Sequence, residues 1–352
     1  MATTFAVPDG RVAMAATTYT GTGATLAVSN AVNTVSFQPD LVWTKTRNTA
    51  TNGFNIVQDS VRGAGYRLIT DGTYAEGYDA TFGSFTSSGF QFGTNANVNT
   101  NANTYINWQW KAGGTAVSNT AGTITSSVSA NTTAGFSVVT YTGTGANATV
   151  GHGLGVAPSM VIVKNRSSGV DGWPIYHVGL TSATFFIKLN STDAQASAAS
   201  IWNSTSPTLS VFSVGTSTGT NQSANAYVAY CWAPVAGYSA FGSYTGNGSA
   251  DGPFIYTGFR PRYFLTKRTD LSGTRWIVMD TSRNPANVAD LILSPNYANA
   301  ELSNPPYLYL DFVSNGLKIR GYQSGDTEWN APGGTYIYAA FAESAFKFSN
   351  AR

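Results

Sequence analysis

The sequence has little charge, little sulfur and little histidine. Asp, Glu, Lys and Arg make up 10% of its 352 residues, against roughly 25% in an ordinary soluble domain. Its 19 basic and 17 acidic residues give a formal net charge of +2. The basic residues are scattered, so nothing here points to nucleic-acid binding. The single cysteine, Cys231, excludes an intrachain disulfide framework. Inside the apolar run AYVAYCWA it reads as a small buried residue rather than a nucleophile. Two histidines are present, His152 and His177, and neither has a second His or Cys at metal-ligand spacing. No metal or cofactor is therefore expected. No apolar run approaches the roughly 18 residues of a membrane helix, and the first residues lack the basic-then-apolar order of a secretory signal. Helical periodicity is confined to a turn or two at Asn287 to Leu293 and Asp193 to Trp202.

What the chain does have is an internal repeat. YTGTG occurs at Tyr19 and at Tyr141, and YTGNG at Tyr244. In each copy a proline precedes a lysine by six residues: Pro39 and Lys45, Pro158 and Lys164, Pro261 and Lys267. Each copy closes on a related run, NTYINWQW, NAYVAYCW and GTYIYAAF. Tyr19 and Tyr105 lie 86 positions apart, as do Tyr141 and Tyr227, while Tyr244 and Tyr336 lie 92 apart. Two anchors that hold their spacing three times define a repeat.

The repeat divides the chain into an arm (1–17), a first copy (18–112), a linker with few bulky side chains (113–135), a second copy (136–237) and a third (238–352). Short runs of alternating polarity separated by Gly-rich turns predict strands, among them Tyr105 to Trp110 with both tryptophans on one face. The Gly- and Tyr-rich stretch 60–80 reads as a loop, Thr123 to Val128 as an edge strand, and Ser314-Asn315-Gly316 as a hairpin turn. The expected fold class is all-β: three tandem antiparallel β-sandwich or jelly-roll-like repeats of about 100 residues. The repeated tyrosines should then superpose, and so should the repeated lysines. The neutral surface suits packing against neighbours. A homotrimer is the expected assembly, with a pseudo-threefold arrangement of the three repeats within one chain as its rival.

Candidate chemistry is sparse, and no catalytic residue is assigned. Glu76 with Asp79 and Asp326 with Glu328 are carboxylate pairs that a glycosidase would need, but they lie in Gly-rich stretches where acids commonly serve turns. The third repeat, with Asp280 and Asp311 besides, is where a site acquired by one copy would be sought. His177 aligns with Asp59 and Asp280 at the end of the run that follows Phe54, Trp173 and Trp276, which reads as a polar strand end. Lys45, Lys164 and Lys267 are the most interesting polar positions. Each either ends a strand and caps a loop carbonyl or makes an interface or glycan contact. Trp173 and Trp329, with Trp43 and Trp202, are available for stacking on sugars, or else fill cores.

YTGTG, the Pro-x5-Lys strand, the closing strand and the phrase GSYTGNGSADGPFIYTGFRP together resemble repeats in structural proteins of tailed phages, especially phages of marine bacteria including cyanophages. The resemblance covers about residues 18–352. It implies a virion protein on the particle exterior, a tail fibre or similar appendage, without enzymatic activity. Its expected partners are copies of itself, other virion proteins and host-surface glycan. A capsid decoration or head-fibre protein is the alternative within that class. A glycan-binding module or polysaccharide depolymerase is the alternative outside it. The chain carries neither the heptads nor the collagen-like stalk of a long fibre.

Overall fold

The structure is a computed structural model that describes residues 5–303, 305–322, 324–325 and 327–345. Each repeat is an antiparallel β-sandwich with one large and one small sheet. Four strands recur in each large sheet. The opening strand is Met14–Thr20, Phe136–Thr142 or Ser239–Thr245. The closing strand, Thr104–Trp110, Ala226–Trp232 or Thr335–Ala345, pairs with it. On the other side of the closing strand lies the lysine strand, Leu41–Thr46, Met160–Asn165 or Phe259–Arg268. A fourth strand follows: Ile56–Asp59, Pro174–His177 or Trp276–Asp280. The smaller sheets hold Leu26–Ser29 with Gly89–Phe92 and Gly83–Thr86, then Ala148–Gly151 with Val211–Val214, then Phe254–Tyr256 with Gly316–Ile319 and Leu310–Val313. The expected hairpin turn joins the last two.

The tyrosine anchors superpose as expected. Tyr19 faces Tyr105, Tyr141 faces Tyr227 and Tyr244 faces Tyr336 in the strand register. Each pair stacks, with ring centroids 4.9, 5.0 and 4.7 Å apart. The YTGxG glycines have separate reasons. A Cβ on Gly21, Gly143 or Gly246 would sit 2.2, 2.2 or 2.3 Å from a backbone oxygen of the loop before the closing strand. Gly23, Gly145 and Gly248 have φ of +71°, +77° and +64°, a region that side chains disfavour. Against this turn lies a buried asparagine, Asn99, Asn221 or Asn330. Its Oδ1 accepts from Thr22, Thr144 or Asn247 N at 2.8, 2.7 and 2.9 Å. YTGxG is thus a clasp between two loops of one repeat.

The closing strands decide the tertiary arrangement. Tyr105, Asn107 and Gln109 are as buried as Ile106, Trp108 and Trp110, because both faces of the strand are covered. The polar face looks into its own sandwich, where Asn107 donates to Thr44 and Asn30 to Gln109. The tryptophan face looks at the other two repeats. Trp110, Trp232 and Phe341 occupy one position in the three copies. Trp110 lies 6.0 Å from Trp232 and 5.6 Å from Phe341, with Tyr263 at 5.4 Å. One apolar cluster therefore runs through all three repeats. They are arranged about a pseudo-threefold axis within one chain.

Five expectations from sequence change here. Residues 113–135 are more than a linker: Val117–Asn119 and Ser126–Asn131 extend the second repeat's sheet to eight strands. Edge pairing needs backbone hydrogen bonds rather than bulky side chains, so a Ser/Thr/Ala stretch can serve. The arm ends sooner than residue 17, since Met14 already pairs with Trp110. Before it, Val7 is buried and Gly10 packs so closely on the third repeat that a Cβ would lie 2.0 Å from Ala342 O. The stretch 60–80 holds a strand, Tyr66–Ile69, besides its loops. Asn287 to Leu293 forms isolated bridges through Ala289, Ile292 and Leu293 rather than a helix. Asp193 to Trp202 is helical only over Ala199–Trp202.

Candidate functional site

The lysines that sequence singled out are fully buried: Lys45 and Lys164 are 0% exposed and Lys267 is 1% exposed. Each amino group is held by oxygens of loops, and in each case one of them belongs to another repeat. Lys45 Nζ donates to Gly53 O and, at 3.0 Å, to Ala298 O of the third repeat. Lys164 Nζ donates to Asp171 O (2.7 Å) and to Thr73 O of the first repeat (2.9 Å). Lys267 Nζ donates to Thr274 Oγ1 (2.6 Å) and to Thr192 O of the second repeat (3.4 Å). The reach is cyclic: first to third, second to first, third to second. Burial pushes all three lysines down to about 8, only partly offset by carboxylates such as Asp71, Asp171 and Asp193. They cap loop carbonyls across the joints and offer no surface to a glycan.

Trp173 makes the same kind of joint. Its Nε1 donates to Ile69 O (3.0 Å) and Gly72 O (3.2 Å) of the first repeat, as Trp276 donates to Lys188 O (3.0 Å) of the second. The equivalent in the first repeat is Asn55 rather than Phe54, because strand register counts back from Asp59, His177 and Asp280. Asn55 Nδ2 donates to Tyr297 O at 2.9 Å. Trp329 is 0% exposed, and its carbonyl accepts from Tyr244 Oη at 3.1 Å. Trp43 and Trp202 are buried as well. Stacking on sugars is closed to all four tryptophans by burial.

Beside the lysines lies an ion-pair network that the sequence reading missed. Asp59 Oδ2 accepts from Arg62 Nε (2.5 Å) and from Tyr230 Oη (2.7 Å) of the second repeat. Arg62 also bonds Glu76 (2.8 Å), which in turn takes Arg166 of the second repeat (2.7 Å). The joint between the third and first repeats copies it. Asp280 holds Arg283 (2.6 Å) and Trp108 Nε1 (3.0 Å), and Glu301 holds Arg283 (2.8 Å) and Arg47 (2.8 Å). A legible signal existed, since an arginine follows each of Asp59 and Asp280 by three residues. The joint between the second and third repeats replaces every charge at once. His177, Leu180, Gln195 and Thr269 stand where the others have Asp, Arg, Glu and Arg. The backbone bond that marks this equivalence is present in all three: Glu76 N to Arg166 O, Gln195 N to Thr269 O, Glu301 N to Arg47 O.

His177 is therefore a neutral joint residue. Its Nδ1 accepts from Gly179 N (3.0 Å), so Nε2 carries the proton toward Tyr338 O of the third repeat (3.0 Å). Burial pushes it down to about 4 from 6.5, and the bond to Tyr338 O offsets this only in part. The unfolded chain consequently binds more protons between those values, and stability falls as pH drops through that window, by about 3 kcal/mol in full. Urea titrations at pH 7 and pH 4 should show His177→Asn losing less stability over the window than the parent chain. Equal losses would remove His177 as the cause.

The acidic candidates are committed elsewhere. For Glu76, burial raises the pKa, but bonds to Arg166 and Arg62 outweigh it and hold the carboxyl below its ordinary value. Asp79 caps Ala80–Phe82 through Thr81 N (2.8 Å). Glu328 pairs with Arg275 at 2.8 Å, Asp311 with Arg320 at 3.1 Å, and Asp326 lies outside the described residues. Cys231 is fully buried, and burial pushes its thiol up. No helix among the described residues is long and apolar enough to cross a membrane. Where loops of all three repeats converge beside the lysine joints, the surface holds a polar cavity of about 460 Å³.

Comparison with curated proteins gives no match, and comparison with solved structures gives none either. One family model, described as a domain of unknown function (DUF7483), matches residues 12–345 and so takes in all three repeats and their joints. The chain belongs to the DUF7483 family.

Proposed function

We propose that the chain is a structural protein of a phage virion, placed on the particle exterior as a tail fibre or similar appendage, and that it acts by assembly and host-surface contact without turnover. The observation that carries this reading is the use made of the repeated polar groups. At the lysine, the buried asparagine and the acid or histidine ending the fourth strand, every copy commits its polar atoms to joining one loop or repeat to another. What repetition preserved is a rigid scaffold. The resemblance of YTGxG and the Pro-x5-Lys strand to tailed-phage repeats supplies the setting. The cyclic joints, first repeat to third, second to first and third to second, make a closed ring rather than a shaft, which favours capsid decoration as the second reading. Its partners are then other virion proteins, host-surface glycan and further copies of the chain. A homotrimer would bury the neutral outer surface, and a stable monomer by light scattering at micromolar concentration would remove it.

Gold-conjugated antibody raised against the purified chain tests the placement on particles of the phage that encodes it. Label on the tail supports the appendage, and label over the head supports decoration. Intact particles that take no label, while disrupted ones do, would overturn the exterior placement.

A further inference from the structure

The cavity of about 460 Å³ draws its walls from all three repeats: Thr73 from the first, Lys188, Asn190 and Asp193 from the second, Asn296 and Tyr297 from the third. That volume falls within the usual range of small-ligand sites, roughly 300–1,000 Å³. Its polar groups have fixed roles. Asn190 and Asn296 hold equivalent positions, and the Oδ1 of each accepts from the backbone N–H of a joint tryptophan, Trp173 (2.9 Å) and Trp276 (3.0 Å). Those bonds settle the amide orientation, so the Nδ2 donors are what each side chain has left. Asn296 is 6% exposed and its Nδ2 is closed off from the cavity, whereas Asn190 is half-buried and keeps its amide at the wall. The first repeat has Asp71 at this position, bonded to Asn55 N (2.7 Å), so the accessible donor lies on the side of the second repeat. Lys188 adds an ammonium at a position that Ile69 and Ser294 occupy in the other copies. Asp193 supplies an exposed carboxylate on the rim, and Tyr297 an aromatic ring.

We infer that this cavity binds an acidic saccharide, with the carboxylate of a uronic acid on Lys188 and the Asn190 amide. An amide donor and an ammonium on one wall call for an acceptor-rich ligand, and a planar carboxylate satisfies them together. Asp193 accepts from sugar hydroxyls at the rim. The inference deepens the host-contact reading and rests on it, naming the chemical class of surface polymer that would be touched. The cavity exists because the repeats close into a ring, so no single repeat could form it.

The test is calorimetric titration of the full chain with tri-galacturonic acid and with an alginate trisaccharide, maltotriose serving as the neutral control and inorganic phosphate as the bare anion. At least one uronate should bind, and maltotriose should not. Lys188→Gln should weaken binding about tenfold, as expected for a charged hydrogen bond, whereas Lys111→Gln, an equal loss of charge at an exposed position, should leave it unchanged. Equal binding of maltotriose, indifference to Lys188→Gln, phosphate binding without uronate binding, or no binding at all would each overturn the inference. Such a failure would leave antibody labelling of particles unaffected, so the site and the virion placement fall separately.

Discussion

Replacing Arg62 by leucine should destabilise the chain by about 3–5 kcal/mol, the range for removing one partner of a buried pair. Arg62 and Asp59 have side chains that are 0% exposed, 2.5 Å apart. Without the guanidinium, the partners left among the described residues are Tyr230 Oη and the backbone N–H of position 62 for Asp59, and Arg166 for Glu76. Leucine is nevertheless what the second repeat carries, as Leu180, at the same position. There it is tolerated because His177, Gln195 and Thr269 have replaced the other charges. The fourfold variant Asp59→His, Arg62→Leu, Glu76→Gln, Arg166→Thr should therefore recover most of the loss. Urea midpoints of the two variants check this. If the fourfold variant is no more stable than Arg62→Leu, the joints are not interchangeable and the equivalence of the three interfaces fails.

Trp110→Ala should cost about 3–5 kcal/mol, the usual range for truncating a core tryptophan, and should lower one cooperative transition. Trp110 is 2% exposed and contacts Trp232 of the second repeat and Tyr263 and Phe341 of the third. Its loss leaves a cavity where three repeats meet, which none can fill by collapsing alone. Trp110→Phe should cost much less. The third repeat uses Phe341 at this position, and the change also removes an indole N–H that has no partner among the described residues. Unfolding is followed by circular dichroism and tryptophan fluorescence. Separate transitions for separate repeats would show that the apolar cluster does not couple them.

Sequence spacing was sufficient for the repeat, because the stacked tyrosines, the turn glycines and the lysine each fill a place set by contacts within one copy. The Asn residues six positions before Tyr105, Tyr227 and Tyr336 were equally legible and passed unread. The lysine partners could not be read. Ala298, Thr73 and Thr192 lie 253, 91 and 75 positions from the lysines that bond them, and nothing local marks a carbonyl as an acceptor for a distant ammonium.

The sequence by itself determined that three copies of one all-β unit follow one another, and which residues anchor each. Alternation in the closing strand even put Trp108 and Trp110 on one face. It could not say what that face meets, since a period of two describes a strand and its sheet but not the neighbour beyond. Only the tertiary structure decided that the tryptophan faces of three sheets meet one another about an axis. That packing buried the lysines and Trp173 against neighbouring repeats, and it created a polar cavity where loops of all three converge.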